Sequence, residues 1–200
     1  MQTIIGITGG TGCGKTTALL ALKELGFHII DCDALYHTML QTDRPMLEDL
    51  ESLFPDAFEN GSLQRKALGQ KVFSDPEALN RLNQTVWPHI IRQTKAQIQL
   101  HAPQPCAIDA IGLMESGLDK LCSHMVAITA PEEDRVARLM AREGISEDYA
   151  RLRIRAQKSN EVFAASCSMT IHNDFAAAEL FLAHCKASFQ QLIKEDSHYE

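Results

Sequence analysis

Short apolar runs alternate with longer stretches of helical period along this chain. Residues 3–8 (TIIGIT) are β-branched, short and bounded by glycine, which predicts a strand. Residues 9–14 read as a loop, and residues 15–25 as a helix ending at Gly26, a residue suited to the left-handed position after a helix. Residues 27–30 (FHII) predict a second strand, closed by Asp31-Cys32-Asp33. From 34 to 101 the period is helical. Leu47, Leu50, Glu51 and Phe54 share a face, while Pro55-Asp56 and Glu59-Asn60-Gly61 mark turns. Asp75 and Pro76 start a helix there as N-cap and first helical residue, and Pro88 breaks or kinks it. The strand signal returns at 106–111 (CAIDAI), 125–130 (MVAITA) and 169–172. Helices are expected from Pro131 to Glu143, from Ser146 to about Gln157, and after Asp174 as a cap. In the last, Phe181, Cys185, Phe189 and Leu192 form an apolar stripe.

Five short strands alternating with helices imply an α/β protein with a parallel sheet covered on both faces. The 34–101 stretch far exceeds the dozen or so residues a crossover needs. It reads as a helical insertion on the substrate side of one domain. A chain of 200 residues with 45% apolar and 22% charged residues has ordinary globular usage. The formal charge of −7 argues against a general nucleic-acid or membrane-surface binder, since either needs a basic footprint. No apolar run approaches the roughly 18 residues of a membrane span. The opening MQTIIGITGG lacks the basic region of a secretory leader, so a cytoplasmic protein is expected. Six scattered cysteines and eight histidines show no metal-ligand spacing. Reduced thiols, no structural zinc and no tightly held organic cofactor are the expectation.

Residues 9–16, GGTGCGKT, satisfy G-x-x-x-x-G-K-[ST] between a strand and a helix, the context this phosphate loop requires. Glycines let backbone N–H groups curl around phosphate oxygens while the following helix points its positive end at them. Nucleotide contacts are therefore expected from Gly9, Gly10, Thr11, Gly12, Cys13, Gly14, Lys15, Thr16 and Thr17. Lys15 would reach the β- and γ-phosphates and Thr16 would ligate Mg²⁺. This makes the expected fold a P-loop NTPase-type α/β/α sandwich with a five-stranded parallel sheet.

What is done with the nucleotide depends on other residues. Asp31 and Asp33, two apart, would share one face if the chain is extended there; they suit a proton acceptor or Mg²⁺ ligands, and equally two turn aspartates or an N-cap at Asp33. Asp109 resembles the acidic residue on the Mg²⁺ side of P-loop proteins. With Ala110, Ile111 and Gly112 it also matches the D-x-x-G of nucleotide switches, yet no N-K-x-D motif accompanies it. Arg135, Arg138 and Arg142 fall on one helical face, and the segment from Arg135 to Lys158 carries +4 while the rest of the chain carries −11. A basic stretch on an acidic protein suits a lid over a polyphosphate, or a solvated face of ion pairs. The chain then divides into a core (about 1–33, 104–134, 166–200), an insertion (about 34–103) and a lid (about 135–165).

Several segments together resemble the dephospho-coenzyme A kinases over essentially the whole length. They are ITGGTGCGKT, IIDCDAL (29–35), GSLQRKALGQKVFSDPEALNRLN (61–83), RLMAREG (138–144), RIRAQ (153–157) and IHN (171–173). The family's G-x-L-D-R-x-x-L-x-x-x-V-F pattern is met by Gly61, Leu63, Arg65, Leu68, Val72 and Phe73, with Gln64 for the usual Asp. Departures are Trp87-Pro88 for His-Pro, Ile111-Gly112-Leu113-Met114-Glu115 without the usual proline, and Cys167-Ser168 for Ala-Asp. The resemblance implies phosphorylation of the ribose 3′-hydroxyl of dephospho-CoA by Mg·ATP. It maps the base onto Asp33, the lid arginine onto Arg138 or Arg142, and an acceptor contact onto Arg65. Metal ligands would be Thr16, Asp31 and Asp33; the partners would be ATP and dephospho-CoA, with neither nucleic acid nor membrane. A kinase for a nucleoside or shikimate-like acceptor is the alternative, and a nucleotide switch stands behind it.

Overall fold

The computed structural model describes residues 2–110 and 112–196. Strand β1 (Ile4–Thr8) leads through the glycine loop into helix α1 (Lys15–Glu24). That helix stops at Gly26, where φ is +90°; Gly26 N–H donates to the Lys23 carbonyl at 3.1 Å and Phe27 N–H to the Leu22 carbonyl at 3.0 Å. This reversal satisfies two end carbonyls and favours a residue without Cβ. Strand β2 (His28–Asp31) runs directly into α2 (Cys32–Thr42), followed by α3 (Arg44–Leu53), β3 (Phe58–Glu59), β4 (Ser62–Leu63), α4 (Arg65–Ser74) and α5 (Pro76–His101). Then come β5 (Cys106–Asp109), β6 (His124–Thr129), α6 (Glu132–Glu143), α7 (Glu147–Arg155), α8 (Asn160–Ala165), β7 (Met169–His172) and α9 (Ala178–Asp196).

The sheet order is β2-β5-β1-β6-β7, parallel at every pairing. Strand alternation sorts its side chains into two cores. Ile30, Cys106 and Ile108 face Leu50, Phe54 and Leu82 of the β2–β5 crossover. Ile5, Ile7, Ala107, Val126 and Ile128 face Ala18 and Leu22 of α1 and Phe181 and Phe189 of α9. A third, small cluster of Val136, Leu139, Ala150 and Ile154 lies between α6 and α7. The five-stranded parallel sheet with helices on both sides is thus as expected, and so are Asp75 capping α5 with Pro76 in its first turn.

Four local expectations are corrected. The β2–β5 crossover is not wholly helical: Asn60 and Gly61, at φ +50° and +74°, turn the two-stranded hairpin β3–β4. Pro88 does not end α5. Pro88 and Gln84 are both exposed, so the carbonyl that loses its donor meets water, while Ala78, Leu82, Val86 and Ile90 hold both halves to the core. Asp174 does not cap α9, which starts four residues later; just before it, Asn173 still pairs with the sheet, its N–H donating to the Thr129 carbonyl at 2.7 Å. The third sheet strand ends at Asp109; Ile111, its expected end, lies outside the described residues.

Phe189 is wholly buried between α9 and the sheet, whereas Phe73 is 84% exposed on α4. Phe189→Ala is expected to cost about 3–5 kcal/mol, and Phe73→Ser no more than about 0.5 kcal/mol. Equilibrium urea unfolding of both variants checks the contrast.

Candidate functional site

The glycine loop is shaped by what lies under it. Gly9, Gly12 and Gly14 have φ of +144°, +77° and +103°, a region that side-chain-bearing residues rarely enter. Space is equally short. A Cβ at Gly10 would stand 2.3 Å from Arg135 Nη2, and one at Gly14 2.4 Å from Asn173 Nδ2. Arg135, only 3% exposed, donates from Nε to the Thr11 carbonyl at 2.9 Å. Gln157 Oε1 accepts from Thr11 N–H at 2.7 Å, Asn173 Nδ2 donates to the Cys13 carbonyl at 2.9 Å, and Arg138 Nη1 to the Gly12 carbonyl at 3.3 Å. With its carbonyls engaged from below, the loop keeps the N–H groups of Gly12 and Gly14 without an acceptor among the described residues. The first N–H groups of α1 likewise have no partner within the helix. That is a cradle for an anion.

Above the loop lies a cavity of about 340 Å³, lined by residues 10–12 and 14–16 with Asp109, Arg138 and Arg142. Lys15 Nζ lies across the loop, donating to the Gly9 carbonyl at 2.7 Å and the Gly10 carbonyl at 3.4 Å. Thr16 is exposed at the cavity. Three of the expected contact positions do not line it. Gly9 is pressed against the Ile128 carbonyl, the Cys13 side chain is wholly buried, and the half-buried Thr17 only donates its N–H to the Gly14 carbonyl. Burial also raises the Cys13 thiol pKa, against the pull of Lys15.

The acids are arranged differently from the expected extended pair. Asp31 closes β2 and caps α2, accepting from Ala34 N–H at 2.9 Å, so the cap is Asp31 and not Asp33. Asp33 sits in the first helical turn. Asp31 is in register with Asp109 on the adjacent strand, which puts the two carboxylates side by side. Burial pushes the Asp109 carboxyl up to about 6; Lys15 opposes this and the charges of Asp31 and Asp33 add to it. Asp33 is raised by partial desolvation and then by Asp31, with His37 and Lys15 pulling the other way. Among the described residues no three His, Cys, Asp or Glu side chains converge as a ready cation cage. Mg²⁺ needs none, because it keeps several waters and uses one or two carboxylates with substrate phosphates. Thr16 and Asp109 line the same cavity and Asp31 stands beside Asp109, oxygen donors of the type that suits that ion.

Asp33 also lines a second cavity, of about 160 Å³, between α2 and α5, together with Tyr36, Asn83 and Trp87. A third cavity of about 310 Å³ continues it, sharing Tyr36, Leu82 and Asn83. Arg65 and His37 line this extension and meet at 2.7 Å between Nη2 and Nδ1. Arg65 thus stands on the crossover side of Asp33, away from the glycine loop.

The three arginines of α6 separate by depth. Arg135 is buried under the loop, Arg138 bonds both the loop and Asn173, and the exposed Arg142 pairs with Glu143 beside the cavity. The rest of the basic segment is largely spent elsewhere. Arg151 binds Glu132, Glu133 and Glu147 at 3.2, 2.7 and 2.8 Å, Arg153 binds Glu143, and Lys158 binds Glu115. Gln157 and Asn173, which hold the loop, were not singled out as site residues; the motifs RIRAQ and IHN contain them.

Comparison with known proteins is consistent over the whole molecule. The family model for dephospho-CoA kinase matches residues 3–179. The dephospho-CoA kinase of Dehalococcoides mccartyi is 38% identical over 96% of both chains. A Thermus thermophilus crystal structure superposes with a TM-score of 0.79 at 31% identity, covering 97% of each chain. The structure of dephospho-CoA kinase from Campylobacter jejuni gives 0.71 at 26% identity, covering 98% of this chain and 100% of the other. Matched over residues 3–179 by the family model and 38% identical to a relative over 96% of both chains, the chain belongs to the dephospho-CoA kinase family.

Proposed function

We propose that the protein transfers the γ-phosphoryl group of ATP to the ribose 3′-hydroxyl of dephospho-CoA, giving CoA and ADP, the final step of coenzyme A synthesis. The observation that carries this reading is the position of Asp33. It lines the crossover-side cavity and also feels the charge of Lys15 in the phosphate loop. A hydroxyl brought to Asp33 from that cavity faces a phosphate held on the loop.

The 3′-oxygen forms its bond to the γ-phosphorus as the bond from phosphorus to the β–γ bridging oxygen breaks, and the hydroxyl proton passes to the Asp33 carboxylate. A carboxyl pKa raised above the ordinary value makes Asp33 a better proton acceptor. Lys15, Arg138 and Arg142 carry the charge that spreads over the transferring group. Mg²⁺ would be held by Thr16 with Asp31 and Asp33, and neutralises phosphate charge when bound. Arg65 contacts the acceptor. Residues 135–165 act as the lid, a role supported by the separate apolar cluster between α6 and α7. The site of action is the cytoplasm, and the partners are ATP and dephospho-CoA. No helix among the described residues is long and apolar enough to cross a membrane.

Incubation with Mg·ATP and a panel of dephospho-CoA, nucleosides and shikimate, read by mass spectrometry, should add one phosphate to dephospho-CoA alone. ATP bound but never consumed would point instead to a nucleotide switch. Asp33→Asn is expected to lower kcat by about 10²–10⁴-fold with ATP binding retained; unchanged turnover would remove Asp33 as the base. For Gly10→Ala, the new methyl group meets the Arg135 guanidinium, so ATP affinity measured by calorimetry should fall. An affinity equal to that of the parent protein would contradict the tight fit under the loop.

A further inference from the structure

We propose that the small cavity between α2 and α5 recognises the purine base of the acceptor, with Trp87 and Tyr36 as its aromatic walls and Asn83 reading the base edge. This rests on the phosphoryl transfer proposed above and names its specificity-determining residues.

A ribose hydroxyl held at Asp33 leaves the base of the same nucleoside one sugar ring away. The cavity that begins at Asp33 and continues past Tyr36 and Trp87 is the space within that reach. Its volume of about 160 Å³ is well below the roughly 300–1,000 Å³ of drug-sized sites, which suits one flat ring system. The larger cavity that shares Tyr36 and Asn83, with Arg65 on its wall, remains for the rest of a long acceptor.

The chemistry of the lining agrees. Val86 and Ile90 are buried and apolar, so they offer a base only shape. By contrast Asn83, Tyr36 and Trp87 each bring a polar group that makes no hydrogen bond to another described residue, although all three side chains are partly buried. The Asn83 amide is partly buried and has no partner among the described residues, so its donor and acceptor are available to a ligand in the cavity. The Asn83 amide offers one donor and one acceptor side by side. Adenine presents the complement, an N6 amino donor beside the N7 acceptor, while hypoxanthine presents two acceptors there. Two aromatic side chains beside the amide supply stacking for the base faces.

Trp87 is the chain's one tryptophan, so its emission reports on this cavity alone. Dephospho-CoA is titrated into protein already saturated with ADP, which occupies the phosphate loop, while calorimetry measures binding independently. Emission should change with the same half-saturation as the calorimetric signal. The counterpart of dephospho-CoA carrying hypoxanthine should bind at least about 10-fold more weakly. Asn83→Ala should erase that preference and raise KM for dephospho-CoA with kcat and the KM for ATP kept. Trp87→Ala should weaken acceptor binding about 10- to 100-fold, and Trp87→Phe should restore it. Binding seen by calorimetry with unchanged emission would overturn the assignment, as would a base preference that survives Asn83→Ala. A protein that neither binds dephospho-CoA nor passes it phosphate would overturn the proposed function, and the pocket with it.

Discussion

The nucleotide end of the molecule depends on one contact, the buried Arg135 guanidinium against the underside of the glycine loop. Its Nε holds the Thr11 carbonyl at 2.9 Å, and its planar head fills the space that a Cβ at Gly10 would need. Gln157 and Asn173 complete the support from two other segments. A loop of glycines has the most conformational freedom to lose on ordering. Here side chains outside the loop restrict it before any phosphate arrives, so binding need not meet the whole ordering cost. A charge is buried to do so, and it is tolerable because Thr11 and Gln157 give it acceptors.

The acceptor end follows from strand order. Placing β5 between β2 and β1 sets Asp31 beside Asp109 at the carboxyl edge of the sheet. Open parallel sheets bind ligands at that edge. Asp31, by capping α2, turns the chain so that Asp33 leaves the strand line and opens onto the crossover cavity. Asp109 thus lines the cavity over the glycine loop, while Asp33 reaches the cavity where we place the acceptor.

Much of this was legible from local rules. The strand–loop–helix context of GGTGCGKT, the stop at Gly26 and the Asp75-Pro76 start each depend on a few adjacent residues, and the structure keeps all three. What depended on distant packing was not legible. Arg135, Arg138 and Arg142 share a helical face by spacing, yet their different depths depend on the path of the glycine loop and on Asn173. Asp31 and Asp33 could be read as an extended pair or as a cap, and the N–H of Ala34 decided which carboxylate became the cap. The pairing of Asp31 with Asp109 needed the sheet order, which no local pattern carries. Pro88 reads as a break or a kink; the break does not occur, because the rule counts the lost hydrogen bond and not the apolar side chains that hold both halves of α5.

The small apolar cluster between α6 and α7 has a consequence for how such a molecule can change over evolutionary time. Val136, Leu139, Ala150 and Ile154 bury one another, not the sheet. Just after α7 the chain is tied back to the rest of the molecule by polar contacts, Gln157 to Thr11, Lys158 to Glu115 and Asn160 to the Ala130 carbonyl. Each tie is a single side chain of modest strength. These ties can therefore be exchanged one side chain at a time over evolution, while the global stability of the domain is left almost untouched.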